Sequence, residues 1–147
     1  MTRASHSFFA AFAGWLAAIV GHLAWQQAED GYITDFAFTL FWPLAVTFAG
    51  WLVVGLPLAL WLGDERIRRL GLVVGVATTA TLATWAVIAA ALDFPLTSWV
   101  WWPLAIGVVG GATLWLLEQR RPFRSWVCWV VPLAFFPAVR YGLLPIG

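Results

Sequence analysis

Long apolar blocks separated by short polar stretches make up nearly the whole of this sequence, and their length limits the folds open to it. The blocks cover residues 8–25, 36–62, 70–92, 98–117 and 126–146. An α-helix rises 1.5 Å per residue, so about 20 residues cross a hydrocarbon core of about 30 Å, and each block is long enough. Of the 147 residues, 63% are hydrophobic and 10% charged, against about 25% charged in a soluble domain. No stretch remains for a soluble unit. The expected fold is all-α: a polytopic transmembrane bundle of four or five helices in a single integral membrane domain over residues 1–147. The first block, preceded by Arg3, has the outline of a secretory leader. It is longer than the usual apolar region of about 7–15 residues, and Trp25-Gln26-Gln27 stands where a small-residue cleavage site belongs. It reads as a retained helix.

Orientation follows from the arginines. Arg3 precedes the first block, Arg66, Arg68 and Arg69 follow the second, and Arg120, Arg121 and Arg124 follow the fourth. The loops after the first and third blocks carry Glu29, Asp30, Asp35 and Asp93 and no basic residue. Positively charged short loops stay in the cytoplasm, so the N-terminus is expected inside. Arginine without any lysine or asparagine fits a GC-rich bacterial genome, and the expected location is the bacterial cytoplasmic (inner) membrane. The block at 126–146 holds Pro132, Pro137, Pro145 and Arg140. Its length fits a fifth span, with Arg140 near the outer interface. Its prolines and Arg140 fit a re-entrant tail on the inner side. Both readings stand.

The second block is longer than a span needs, and Pro43 and Pro57 are expected to kink it. Phe41-Trp42-Pro43-Leu44-Ala45-Val46 parallels Trp101-Trp102-Pro103-Leu104-Ala105-Ile106, and an Asp-Phe pair (Asp35-Phe36, Asp93-Phe94) precedes each. The pattern reads as two repeated two-helix hairpins related by an axis along the membrane normal. Chance is the alternative, since Pro-Leu-Ala recurs at Pro132-Leu133-Ala134.

Small residues recur four apart: Ala10, Gly14 and Ala18 in the first block, Gly71, Gly75, Thr79 and Ala83 in the third, Gly107 and Gly111 in the fourth. In lipid, where apolar side chains gain little by meeting each other, such rows let two backbones approach and mark helix-packing faces. They pack helices within the chain, or at least one row faces another chain. Of the 12 tryptophans, Trp25, Trp99, Trp101 and Trp102 fall near the outer interface and Trp61, Trp115, Trp126 and Trp129 near the inner one, as aromatic belts. Trp15, Trp51 and Trp85 fall at mid-membrane, as core or as the lining of a pocket.

His22 is the histidine inside a span, and an ionisable group there is a functional candidate, with a hydrogen bond to a neighbouring helix as the simpler role. His6 lies toward the opposite side, so a bis-histidine haem within one chain is not expected. Trp15-Leu16-Ala17-Ala18-Ile19-Val20-Gly21-His22-Leu23-Ala24 resembles the membrane span of purple-bacterial light-harvesting β polypeptides. That resemblance implies a bacteriochlorophyll ligated by His22, with Ala18 making room for the ring. It covers residues 15–24 alone, and Gln26-Gln27-Ala28-Glu29 replaces the aromatic motif that follows in that family. The Trp-x-Pro-Pro pattern of tryptophan-rich sensory proteins is missing.

Asp35 and Asp93 precede the second and fourth blocks and read as N-caps, or as an acidic pair at a pore mouth. Thr79, with Thr78, Thr81 and Thr84, either satisfies helix carbonyls or lines a polar path. Arg140 completes the ligand or pore candidates. No Ser–His–Asp set, paired central carboxylates, phosphate loop or metal cluster is present in the sequence, so no enzymatic activity, metal or cofactor is expected. The expected partners are the lipid bilayer and other membrane protein chains, in a homo- or hetero-oligomer, and not nucleic acid. The leading expectation is a non-catalytic membrane subunit or oligomer acting through helix packing. A small homo-oligomeric channel or transporter is the alternative, and an intramembrane ligand or pigment binder around His22 is a third.

Overall fold

The computed structural model describes residues 2–30, 36–96 and 99–119. Among them are α1 (Arg3–Asp30), α2 (Phe36–Gly50), a π-helical stretch (Trp51–Gly55), α3 (Leu56–Trp61), α4 (Gly63–Arg66), α5 (Leu70–Ala91) and α6 (Trp101–Glu118), with no strand. Four helical runs in the described residues are long and apolar enough to cross a membrane: Arg3–Gln26, Phe41–Trp61, Leu70–Ala91 and Trp101–Glu118. The chain is an all-α, multi-pass membrane protein. The block at 126–146 lies outside the described residues, as do Asp35 and Arg140.

The helices outrun or fall short of their apolar blocks for local reasons. In α1 the helix continues past both ends of residues 8–25, because intrahelical hydrogen bonds do not stop where the apolar residues do. The second span stays continuous through Pro43 but changes register before Pro57. Proline has no N–H to give to the carbonyl four residues back. The chain answers with a wider turn, in which the Leu56 N–H reaches the Trp51 carbonyl five residues back. The fourth span begins at Trp101, three residues later than the apolar block, because Trp99 holds a left-handed φ of 60°. Pro103 then sits in the first turn of α6, where a missing N–H removes no helical bond.

Asp93 closes α5 instead of opening α6. It adopts φ 56° directly after the cap residue Leu92, and the Phe94 N–H returns to the Ala89 carbonyl at 2.8 Å. That is the bond pattern of a Schellman C-cap. The N-cap position of α6 belongs to Val100, which has no capping side chain.

The bundle is held by close contacts of α6 with α1 on one side and α5 on the other. Glycine makes both possible. A Cβ on Gly14 would stand 2.6 Å from the Ile106 carbonyl oxygen, and one on Gly107 would stand 2.5 Å from the Thr78 Cα. Ala10 faces Gly110 of α6, and Gly111 faces Val74 of α5. The Thr81 hydroxyl crosses the second seam to the Pro103 carbonyl at 2.8 Å. One core of Trp15, Leu16, Ala18, Ile19, Leu23 and Trp102 fills the α1–α6 contact, and a second of Ala10, Ala59, Ile67, Val73 and Leu114 joins all four spans at the Arg3 end. The second span packs on α1 but meets α5 sparsely, and it turns Phe41, Leu52, Val53, Leu60 and Trp61 outward.

Candidate functional site

Three features stand apart from simple helix packing: a tryptophan box around His22, an apolar cavity beside it, and an ion cluster at the other end of the bundle.

His22 is 1% exposed. Trp25 lies three residues on along α1, and Trp99, Trp101 and Trp102 come from the start of α6 and the turn before it. Ring centroids stand 5.9, 4.8, 5.6 and 5.5 Å from the imidazole, and Trp101 is stacked at 15°. Neither ring nitrogen has a hydrogen-bond partner among the described residues, and neither does the Gln26 Oε1 one turn further along. The expected hydrogen bond to a neighbouring helix is thus replaced by aromatic contacts. Trp101 lies face to face with the imidazole, and the other three indoles are tilted to it by 35–49°. Ala18 is fully enclosed by the α1–α6 contact, so the imidazole has no open face for a macrocycle.

A buried imidazole without a partner lowers stability by about 1–3 kcal/mol relative to a satisfied or apolar group. His22→Leu is therefore expected to raise unfolding stability by about 1 kcal/mol, read by thermal unfolding in detergent. A loss of similar size would mean that residues beyond the described ones hold the imidazole.

The cavity has a volume of about 360 Å³ and lies between the second span, α5 and α6, with the start of α1 at one end. Both copies of the repeated Trp-Pro pair, Trp42-Pro43 and Trp102-Pro103, line it. Their settings differ, for Trp102 is 5% exposed and Trp42 54%. Trp102 belongs to the cavity wall and to the His22 box at once, and its Nε1 has no partner among the described residues. Trp51 and Trp85 also line the cavity, with indole N–H groups donating to the Ser7 hydroxyl at 3.1 Å and to the Leu96 carbonyl at 3.3 Å. Trp15 is instead buried in the α1–α6 core.

At the far end Glu118 accepts from Arg3 Nε at 3.3 Å and pairs with His6 Nδ1 at 2.6 Å, while Arg3 also reaches Asp64. Arg66 lies over the Trp61 ring at 4.6 Å, and Trp115 Nε1 donates to the Arg68 carbonyl at 3.0 Å. The start of α1, the turn after the second span and the end of α6 therefore share one end of the bundle.

The packing rows divide. Ala10, Gly14, Ala18, Gly107 and Gly111 lie in contacts within the chain. Gly71 and Gly75 do not: a Cβ on either meets nothing within 4 Å among the described residues, and Gly71, Gly75, Thr79 and Ala83 are all exposed. Thr79 sits on this outward row and is not part of the cavity wall. Asp93 is exposed beyond the end of α5.

Sequence reasoning missed the tryptophan box and the ion cluster. The common depth of His22 with Trp99, Trp101 and Trp102, and of Arg3 with Glu118, was the available signal. The neighbour relation of α1 and α6 was the missing one. Compared with protein-family models, with curated proteins and with solved structures, the chain matches none.

Proposed function

We propose that this chain is a non-catalytic subunit of the bacterial inner membrane that acts by packing α5 against a helix of another membrane chain. The outward row on α5 carries the reading. Gly71, Gly75, Thr79 and Ala83 fall four apart on the side of α5 turned away from α6 and the cavity, with Val87 (69% exposed) continuing the line. Lipid tails are as apolar as leucine, so a bare small-residue groove gains by close backbone approach of a second helix and gains little from lipid. In this reading the N-terminus lies on the cytoplasmic side. Arg3, Arg66, Arg68 and Arg69 gathering at one end of the bundle supports that orientation under the positive-inside rule. A pore through a single chain is not favoured, because no ionisable side chain among the described residues lines the cavity.

The test is the native mass of the protein extracted gently from its host into lipid nanodiscs. Wild type is expected to exceed one chain, with either a second copy or a different polypeptide. Gly75→Leu is expected to reduce that mass to a single chain without lowering the thermal stability of the bundle, since a Cβ there meets nothing within 4 Å among the described residues. A wild-type mass of one chain would sink the proposal.

A further inference from the structure

The turn between the second span and α5 carries three arginines that the fold leaves without an acid. Arg66, Arg68 and Arg69 are exposed and form no ion pair among the described residues. The nearby acids are engaged elsewhere: Asp64 by Arg3, and Glu118 by Arg3 and His6. Glu65, also exposed, is the other acid of the turn, and among the described residues it pairs with none of the three. Once Asp64 is matched by Arg3, the turn sets three positive charges against the one negative charge of Glu65.

The backbone under these side chains is fixed. Ile67, in the middle of the three, is 2% exposed and sits in the core with Val73 and Leu114. The Arg68 carbonyl accepts the Trp115 N–H at 3.0 Å, and the Arg66 carbonyl accepts the Arg69 N–H at 3.1 Å. A ligand therefore meets a backbone that is already ordered, which lowers the entropic cost of binding. The flanks set the depth. Leu60 and Trp61 before the turn and Leu70 and Leu72 after it are exposed apolar residues, so the arginines emerge where hydrocarbon gives way to headgroups. The Arg66 guanidinium lies over the Trp61 ring at 4.6 Å, and an interfacial indole sits at headgroup level.

We infer that this turn is a binding surface for anionic phospholipid, with headgroup phosphates gathered by Arg66, Arg68 and Arg69. A guanidinium presents parallel N–H donors that match two oxygens of a phosphate, and each arginine held near a membrane surface adds to the attraction for anionic lipid. The bilayer itself supplies phosphate at the depth of this turn, whereas an acidic protein segment would have to displace it. The inference does not rest on the docking row of α5. It needs one chain in a membrane, and it holds whichever leaflet the turn faces.

The test is nondenaturing mass spectrometry of the full chain in detergent with equimolar phosphatidylglycerol and phosphatidylcholine of matched acyl chains, told apart by headgroup mass. Wild type is expected to retain phosphatidylglycerol at least about fivefold over phosphatidylcholine. Arg66→Gln, Arg68→Gln and Arg69→Gln together are expected to bring that ratio to about one, with helix content unchanged because the three side chains are exposed and Ile67 is kept. If the triple variant folds poorly, Arg66→Glu alone reverses one charge, and the ratio is expected to fall at least about twofold. Arg120→Gln, Arg121→Gln and Arg124→Gln together are expected to leave at least about half of the preference. Gly75→Leu is expected to leave all of it, which separates this surface from the docking row. Equal retention of the two lipids by wild type would overturn the proposal. So would a preference that survives the changes at Arg66, Arg68 and Arg69, or one that is lost with Arg120, Arg121 and Arg124 instead.

Discussion

Gly107→Ala is expected to cost at least about 3 kcal/mol and to separate α5 from α6, because the contact there is backbone against backbone. The added Cβ would stand 2.5 Å from the Thr78 Cα, 3.0 Å from the Thr78 nitrogen and 2.6 Å from the Thr81 Oγ1. The Thr81 side chain has somewhere to go; the Thr78 main chain does not, short of moving the helix. Moving it also lengthens the Thr81–Pro103 hydrogen bond, which joins the same two helices four residues earlier on α6. The control is built into the chain. Gly71→Ala places the same methyl group on α5 where nothing stands within 4 Å among the described residues, and a helical glycine replaced by alanine gains up to about 1 kcal/mol. Unfolding of the two variants by denaturing detergent in mixed micelles, followed by circular dichroism, should move in opposite directions. Equal behaviour would mean that the α5–α6 seam is looser than its geometry implies.

The second large effect is expected at Glu118. Its carboxylate is 12% exposed and holds two side-chain partners, Arg3 at 20% exposure and His6 at 17%. Glu118→Ala leaves a partly buried guanidinium with only the exposed Asp64 and an imidazole with no acid beside it. Removing one member of a fully buried pair costs about 3–5 kcal/mol; with part of this cluster open to water, about 2 kcal/mol is expected, read in the same unfolding titration. Asp64→Ala serves as the comparison. At 84% exposure its ion pair is worth less than about 1 kcal/mol. If both variants lose the same amount, the cluster is solvated and Glu118 is no anchor.

The spans were legible in the sequence because hydrocarbon thickness sets a length that composition alone can report. The third block, 70–92, agrees with α5 to one residue. The start of the fourth was not legible, since nothing about Trp99 as a residue type announces a left-handed φ. The role of Asp93 was misread for a related reason: an acid ahead of an apolar block looks like an N-cap, but the preceding helix reached it first and used it as a terminator. The small-residue rows were visible, but their destinations were not. Gly75 and Gly107 have the same spacing signature, and only the order of helices around the bundle puts one outside and the other at a seam. The same missing order hid the His22 box, in which α6 supplies most of the aromatic wall around an α1 side chain. Trp102, expected in an interfacial belt, is buried for that reason.

The wide turn at Trp51–Gly55 has consequences for the whole second span. Successive helical residues are about 100° apart around the axis, so a turn that takes in one extra residue works as a phase shifter between α2 and α3. Pro43, Thr47 and Gly50 before it, and Val54, Leu58 and Leu62 after it, border the same cavity, although on a straight α-helix Leu62 would stand about 120° around the axis from Gly50. Deleting one residue at this point would restore a regular helix with its two halves still in phase, whereas deleting one elsewhere in the span would swing its far half by that angle, taking Leu58 and Leu62 off the wall. Lengthening it elsewhere would do the reverse. The span thus tolerates change in residue type far better than change in residue number, and the five positions Trp51–Gly55 are where its count is set.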